Sequence, residues 1–381
     1  MTEGPARVEE IYQDRGRRAK QLKAEGKKIV GYLCCHAPVE IITAAGLVPF
    51  RIVGNVEESS APADTYIEPI ACSFTRSCFA VAMKNGYDFL DGYVVPHTCD
   101  NIVKLYDIWK HNVKPAYSHF INIPHTLSPP SFEFFQAELG TFKKSLERFI
   151  GREITRERLG QSIQLHNENR ALVRELNELR KQEPPLLSGT EMTKVMVTIV
   201  SIPVEEANEL LRSVIKEVKG RRHVPPKQPA RLLVYGTVED NVAFIELVEE
   251  SGANVVIDDL CFGTRAYWHD VELTSDPLTG IATRYLAKIP CPRTYKQRTG
   301  SHQQDLENRF GYLGDFVRDF KVNGVIIYVL RYCDTHAFDV PEVKEYLRGK
   351  GLPVLDIEGE YSTSSFARLK TRIDAFLEMI G

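Results

Sequence analysis

One pattern occurs twice in this chain and constrains its fold more than any other. A hydrophobic run ends, a Cys-Asp follows, then a helical stretch, a proline and a second hydrophobic run. The first copy is Gly92-Tyr93-Val94-Val95, Thr98-Cys99-Asp100, a helix over 101–111, Lys114-Pro115-Ala116 and a strand. The second is Gly324–Leu330, Tyr332-Cys333-Asp334, a helix over 341–349, Leu352-Pro353-Val354 and a strand. Each half also opens as strand, helix, glycine, strand: 29–33, 38–45, Gly46 and 48–53, then 231–235, 242–250, Gly252 and 254–258. Strands alternating with helices give parallel sheets wrapped by helices. βαβ units resemble one another in general, so the twin Cys-Asp carries the argument for a repeat. The expected fold is α/β, with two Rossmann-like parallel-sheet domains facing each other.

The rest of the chain fits around those domains. Residues 1–27 carry charges at helical spacing, with a helix expected over 9–24. Residues 131–182 are strongly helical, with Gly140, Gly151 and Gly160 as candidate breaks, and Glu183-Pro184-Pro185 ends the stretch. A further helical pattern covers 188–219, and the basic, proline-rich 219–229 reads as a linker. The expected divisions are a helical segment 1–27, a first domain 28–220 with a long helical portion, and a second domain 229–381.

At 381 residues the chain exceeds one ordinary core. It is 43% hydrophobic and 26% charged, with a net charge of −3. That balance offers no general nucleic-acid or membrane surface. The first thirty residues have no apolar signal core, and no apolar run approaches the ~20 residues that cross a bilayer. A cytoplasmic protein is expected, in which the eight cysteines do not form structural disulfides.

Three cysteines sit just past strand ends. Cys34 follows Ile29-Val30-Gly31-Tyr32-Leu33, Cys99 follows 92–98, and Cys333 follows 324–332. Open α/β sheets bind ligands beyond the carboxyl ends of their strands. Thiols delivered there from distant segments can converge, as an iron–sulfur cluster or soft metal requires. Pro38 suits a first helical turn, which puts Glu40 near that helix's N-terminus. Glu40 is a candidate acid/base beside Cys34; the plainer reading is electrostatic support of the helix end.

The stretch Cys34-Cys35-His36-Ala37-Pro38-Val39-Glu40, with Ala44-Ala45-Gly46 and Pro49, resembles the 2-hydroxyacyl-CoA dehydratase and benzoyl-CoA reductase family. So do Thr98-Cys99-Asp100, Tyr332-Cys333-Asp334 and the end of the chain, Glu358-Gly359-Glu360-Tyr361-Ser362-Thr363-Ser364 with Lys370-Thr371-Arg372-Ile373-Asp374-Ala375-Phe376. The resemblance covers about 28–381. It implies a 4Fe–4S cluster at the interdomain cleft, held by Cys34, Cys99 and Cys333, with one iron open to the substrate's thioester carbonyl or hydroxyl. It also implies a separate ATP-hydrolysing iron–sulfur activator that injects one low-potential electron. A ketyl radical then loses water, or an aromatic ring is reduced. The expected partners are that activator, an acyl-CoA, and a homologous subunit or a second copy. Cys34 or Cys35 could be the ligand, and the cysteine-to-proline spacing of the family favours Cys34.

The family includes a double-cubane branch, in which an 8Fe–9S cluster takes about six cysteines. Ile70-Ala71-Cys72-Ser73-Phe74-Thr75-Arg76-Ser77-Cys78 resembles the extra cysteine segment of that branch. Cys261 and Cys291 fall in comparable places, so Cys34, Cys72, Cys99, Cys261, Cys291 and Cys333 form a possible six-thiolate set. Cys78 reads as a packing residue. Three functions follow from the resemblance: a subunit of a CoA-ester dehydratase or reductase, a double-cubane reductase of small molecules, or a non-catalytic electron-carrying subunit.

Weaker signals remain. His36 and His97 neighbour cysteines and could donate protons or hydrogen bonds, although a structural histidine is the commoner case. Lys296, Arg298 and His302 form a basic loop that could meet coenzyme A phosphates or merely face solvent. The chain lacks both Gly-rich nucleotide signatures, so the ATPase must be another protein.

Overall fold

The computed structural model describes residues 4–238 and 240–380. Residues 1–3, 239 and 381, which fall within the expected divisions, lie outside the described residues. Eight strands form two parallel four-stranded sheets. The first contains β1 (Ile29–Tyr32), β2 (Val48–Arg51), β3 (Gly92–Pro96) and β4 (Tyr117–Ile121), in the order β2-β1-β3-β4. The second contains β5 (Ala230–Gly236), β6 (Ala253–Asp259), β7 (Gly324–Leu330) and β8 (Val354–Gly359), in the order β6-β5-β7-β8. The two orders are the same, so the repeat seen in the sequence is a repeat of topology. β1, β3, β5 and β7 are buried along their whole length. That burial explains their unbroken apolar runs, as sheets covered on both faces require.

The helices are α1 (Gly4–Gln13), α2 (Gly16–Ala24), α3 (Val39–Ala44), α4 (Ser73–Met83), α5 (Asp100–Asn112), α6 (Pro129–Ile150), α7 (Arg156–Glu178), α8 (Gly189–Ile199), α9 (Val204–Gly220), α10 (Val242–Glu250), α11 (Pro277–Thr283), α12 (His302–Asp319), α13 (Asp334–Gly349) and α14 (Phe366–Ile380). One apolar core joins the halves. It runs from Ile29, Phe50 and Phe79 through Phe244 to Leu232, Ile326 and Ile357. The helical stretch between the sheets also touches both. α7 packs on α3, while α8 packs on α10 and β6. Arg180, just past α7, is 1% exposed. It pairs with Asp258 at 3.2 Å and donates to the Val255 carbonyl at 2.9 Å, both residues on β6.

Several expected boundaries move. The N-terminal helix is two helices, separated by a turn at Asp14-Arg15 in which Arg17 N donates to Asp14 O. Of the three candidate glycine breaks, Gly151 alone ends a helix. It adopts φ +71° at the end of α6, and Thr155 then caps α7 by accepting from Arg158 N. Gly140 and Gly160 sit inside α6 and α7. The 188–219 pattern splits at Pro203, which precedes α9. α13 starts at Asp334 and carries Pro341 within it, so the helix expected over 341–349 begins seven residues earlier. His302 opens α12 and is not part of a loop.

Gly236 ends β5 where a Cβ would meet the Tyr328 carbonyl oxygen at 1.8 Å. Gly236→Ala is expected to destabilise the fold by about 3 kcal/mol. Gly140→Ala, with no atom within 4 Å of the new Cβ, is expected to stabilise by about 1 kcal/mol. Thermal denaturation reads both, and equal midpoints for the two variants would contradict the packing argument.

Candidate functional site

The thiols gather where the two sheets present their carboxyl edges to each other. In each sheet the chain goes from the first strand to one side and then crosses to the other, so a crevice opens beyond β1 and β3, and another beyond β5 and β7. Cys34 lies two residues past β1, Cys99 three past β3, Cys261 two past β6 and Cys333 three past β7. Cys72, Cys99 and Cys333 are the N-cap residues of α4, α5 and α13. A helix N-terminus favours negative charge, and so favours thiolate over thiol. The twin Cys-Asp thus has a local cause. The cysteine caps the helix, and Asp100 or Asp334 complements the dipole from the first turn.

Asn101 ties the loops together across the halves. Its Oδ1 accepts from Cys72 N at 2.9 Å, and its Nδ2 donates to Tyr332 O at 3.1 Å. Two residues here are held in the left-handed region: Cys34 at φ +65° and Tyr332 at φ +65°. Both are costly for residues with a Cβ and persist only where the surroundings enforce them.

Cys34, Cys72, Cys99, Cys261, Cys291 and Cys333 line one cavity of about 70 Å³. Phe74, Ile102, Val238 and Leu330 supply its apolar wall, and Arg51 and Arg293 its positive charge. Both arginines are buried, at 4% exposure each, and among the described residues neither has a carboxylate partner within salt-bridge distance. The Nε atoms of Arg51 and Arg293, and the Nε2 of His36, have no hydrogen-bond partner among the described residues. Buried cations without a counter-charge are expensive. An anionic group among them, such as a metal cluster on several thiolates, would offset that cost. Six soft donors, two arginines without a carboxylate and a dry wall therefore fit an iron–sulfur group.

All eight cysteines are free. Burial pushes the Cys72 thiol up to about 11 and the Cys291 thiol up to about 12. Burial also raises Cys99 and Cys333. Cys34 and Cys261 move the other way, each chiefly through a hydrogen bond from Cys35, whose own thiol is held well above its ordinary value. Metal loading at this cavity must therefore expel protons.

A family model described as 2-hydroxyglutaryl-CoA dehydratase, D-component, matches residues 34–380. The chain belongs to this family. Relatives include the (R)-phenyllactyl-CoA dehydratase beta subunit of Clostridium sporogenes, 24% identical over 365 residues that span 95% of this chain and 94% of that protein. A benzoyl-CoA reductase subunit of Thauera aromatica is 25% identical over 383 residues, 98% of this chain and 97% of its own length. The lactoyl-CoA dehydratase beta subunit of Anaerotignum propionicum is 26% identical over 360 residues, 94% of this chain and 93% of its own. The resemblance drawn from the Cys-Pro-Glu stretch and the two Cys-Asp motifs holds over nearly the whole length.

Other candidate residues of this family member lie elsewhere. Glu40 is wholly buried. It pairs with Arg170 and accepts from the Tyr285 hydroxyl at 2.9 Å. Burial alone would raise its carboxyl, but the charge of Arg170, with His166 and Arg284 behind it, holds it down at about 2. A carboxylate so held neither gives nor takes a proton readily near neutral pH. Arg170, Tyr285 and His166 line a second cavity, with Cys35 on its wall. An extended backbone at Cys34-Cys35 would have turned the two thiols apart. The left-handed Cys34 instead keeps the Cys34, Cys35 and His36 donor atoms within 4.8 Å of one another, a further group able to hold a metal. His36 Nδ1 lies 3.8 Å from Cys34 Sγ and 3.6 Å from Cys35 Sγ. His97 packs against His125, ring centroids 5.3 Å apart. Cys78 is fully buried in the core on α4.

Arg298 pairs with Glu342, and His302 Nε2 lies 2.9 Å from Glu345. Lys296 donates to the Asn308 carbonyl at 3.2 Å. Lys296, Arg298 and Arg309 line a cavity of about 290 Å³ that shares Arg293 with the thiol cavity. The sequence reading missed Arg51, Arg293 and Asn101. Asn101 alone had a signal, standing two residues after Cys99 in a helix's first turn.

Proposed function

We propose that this chain is the iron–sulfur subunit of a low-potential, one-electron reductase or dehydratase. We further propose that Cys34, Cys72, Cys99, Cys261, Cys291 and Cys333 together hold a double-cubane 8Fe–9S cluster. The observation that carries this reading is the single cavity lined by all six thiols. Three thiols suffice for one cubane with an open iron; six around so small a space exceed that need. When bound, the group would supply single electrons at low potential. The thiols bind it, Phe74, Ile102 and Leu330 keep water from it, and Arg51 and Arg293 offset its negative charge. Electrons come from a separate ATP-hydrolysing activator, because this chain carries no Gly-rich phosphate loop. The relatives are named as subunits, which supports a second subunit in the assembly. No helix among the described residues is long and apolar enough to cross a membrane. The proposed location is the cytoplasm, whose reducing pool keeps thiols free to bind metal.

Anaerobic purification with iron and sulfide analysis, followed by reduction with an activator ATPase, tests this reading. About eight irons per chain are expected for six thiolates on two fused cubanes. Less than one iron would overturn it, and tetrahedral zinc on thiolates would replace it.

About four irons would favour a second reading: one 4Fe–4S cubane on Cys34, Cys99 and Cys333, acting on an acyl-CoA by 2-hydroxyacyl-CoA dehydration or benzoyl-CoA-type reduction. Its support is the named chemistry of the relatives and the basic cavity that shares Arg293 with the thiols. The pairing of Arg298 and Arg309 with Glu342 and Asp339 leaves that cavity less cationic than a phosphate site would need.

A further inference from the structure

Behind the thiol cavity a buried arginine spends every one of its N–H groups within the protein. Arg265 is 1% exposed. Its Nε donates to Asp259 Oδ1 at 3.0 Å. Its Nη2 donates to the Gly236 carbonyl at 3.0 Å and to the Asp259 carbonyl at 2.6 Å. Its Nη1 reaches two further atoms: Cys261 Sγ at 3.3 Å and His336 Nε2 at 2.9 Å. The Tyr312 hydroxyl, at 2.8 Å, holds the Asp259 carboxylate in place from the other side.

The chemistry of the guanidinium settles the state of the imidazole. Arginine has five donors and no acceptor. His336 Nε2 must therefore present its lone pair to Arg265, which leaves the proton of the neutral ring on Nδ1. Nδ1 lies 3.5 Å from Cys333 Sγ. His336 stands three residues after Cys333 on α13, one turn along the same face, so the helix itself sets this approach. His336 is 2% exposed, so water does not compete for the ring.

We propose that Arg265 and His336 form a hydrogen-bond relay onto two of the cavity thiols, Cys261 directly and Cys333 through the imidazole, and that this relay sets the potential of the metal centre they hold. The inference rests on the preceding reading that these thiols bind iron. Hydrogen bonds to cluster sulfurs draw electron density away and favour the reduced state. Two of the three ligands from the second half would carry such bonds, Cys261 and Cys333, and both would draw on one guanidinium. Arg265 and His336 are positioning residues, since they act through the thiols.

The test uses the full chain, purified anaerobically, with three measurements. Iron analysis reports the preceding reading. Redox titration followed by electron paramagnetic resonance reports the relay. Nitrogen-15 spectra of the histidines report the His336 tautomer whether or not iron is present. His336→Leu removes the donor to Cys333, whereas His336→Asn keeps an N–H at the same reach. The expected result is unchanged iron in both variants and an Nδ1–H tautomer in the parent. At a fixed potential, the reduced-to-oxidised ratio should fall about tenfold in His336→Leu, about 59 mV for one electron, and recover in His336→Asn. Equal potentials in all three proteins, iron loss in His336→Leu that His336→Asn does not repair, or an Nε2–H tautomer would each overturn the relay. A parent protein without iron sinks the preceding reading, and the tautomer still decides whether the relay exists.

Discussion

Cys72→Ala and Cys291→Ala are each expected to strip most of the iron from the anaerobically isolated protein, as fully as Cys99→Ala and Cys333→Ala do. All four side chains face the same cavity of about 70 Å³ with Cys34 and Cys261. A fused cluster with one thiolate missing exposes iron to solvent and loses a strong ligand. Cys78→Ala serves as the control. Cys78 is wholly buried on α4, so its loss is expected to cost about 1 kcal/mol of stability and no iron. Iron and sulfide analysis of the five variants reads the result. Full iron in Cys72→Ala and Cys291→Ala, with loss in Cys99→Ala and Cys333→Ala, would leave a three-thiol cubane. The acyl-CoA reading would then take precedence.

Glu40→Gln is expected to destabilise the protein by about 3 kcal/mol at pH 7, as removing one partner from a buried ion pair does. The folded carboxyl titrates at about 2, against an ordinary value of 4.5. That difference corresponds to about 3 kcal/mol by linkage. The folded pKa is depressed, so the stabilisation is complete above the unfolded value. It declines as pH falls from about 5 and is gone below about 2. The gap between wild type and Glu40→Gln in urea denaturation should therefore be wide at pH 7 and narrow by pH 3. A gap that stays constant across that range would remove the ion-pair account. A variant of unchanged stability but abolished turnover would restore Glu40 as an acid/base.

The two cases differ in how far each was legible from the chain. For the cysteines, the signals are local. A buried parallel strand needs an unbroken apolar run, and a helix start needs a cap and tolerates an acid in its first turn. Those needs are written into Gly92-Tyr93-Val94-Val95 with Thr98-Cys99-Asp100, and again into Gly324–Leu330 with Tyr332-Cys333-Asp334. The positions of the thiols at strand ends, the parallel sheets and their repetition could all be reasoned from short segments. Helix starts were legible where a capping residue was present. They were misplaced where a proline drew attention, as at Pro341, which α13 accommodates after starting at Asp334.

What surrounds those thiols was not legible in any short segment. Glu40 finds Arg170 on a helix 130 residues away, and nothing near Glu40 in sequence announces a guanidinium. Without Arg170, a carboxyl in a first helical turn beside a cysteine looks like an acid/base. With it, the same carboxyl is a buried anchor. Cys34 takes a left-handed backbone against the preference of its own side chain, a cost that its packed surroundings impose. Arg51, Arg293 and Arg265 come from three separate segments, and their charges matter because burial removes the water that would otherwise neutralise them. Local residues were enough to say which thiols end which strands, because backbone hydrogen bonding and helix capping act over a few residues. Which charges face those thiols was settled by the folded chain, because Coulomb interactions and desolvation depend on distance in space.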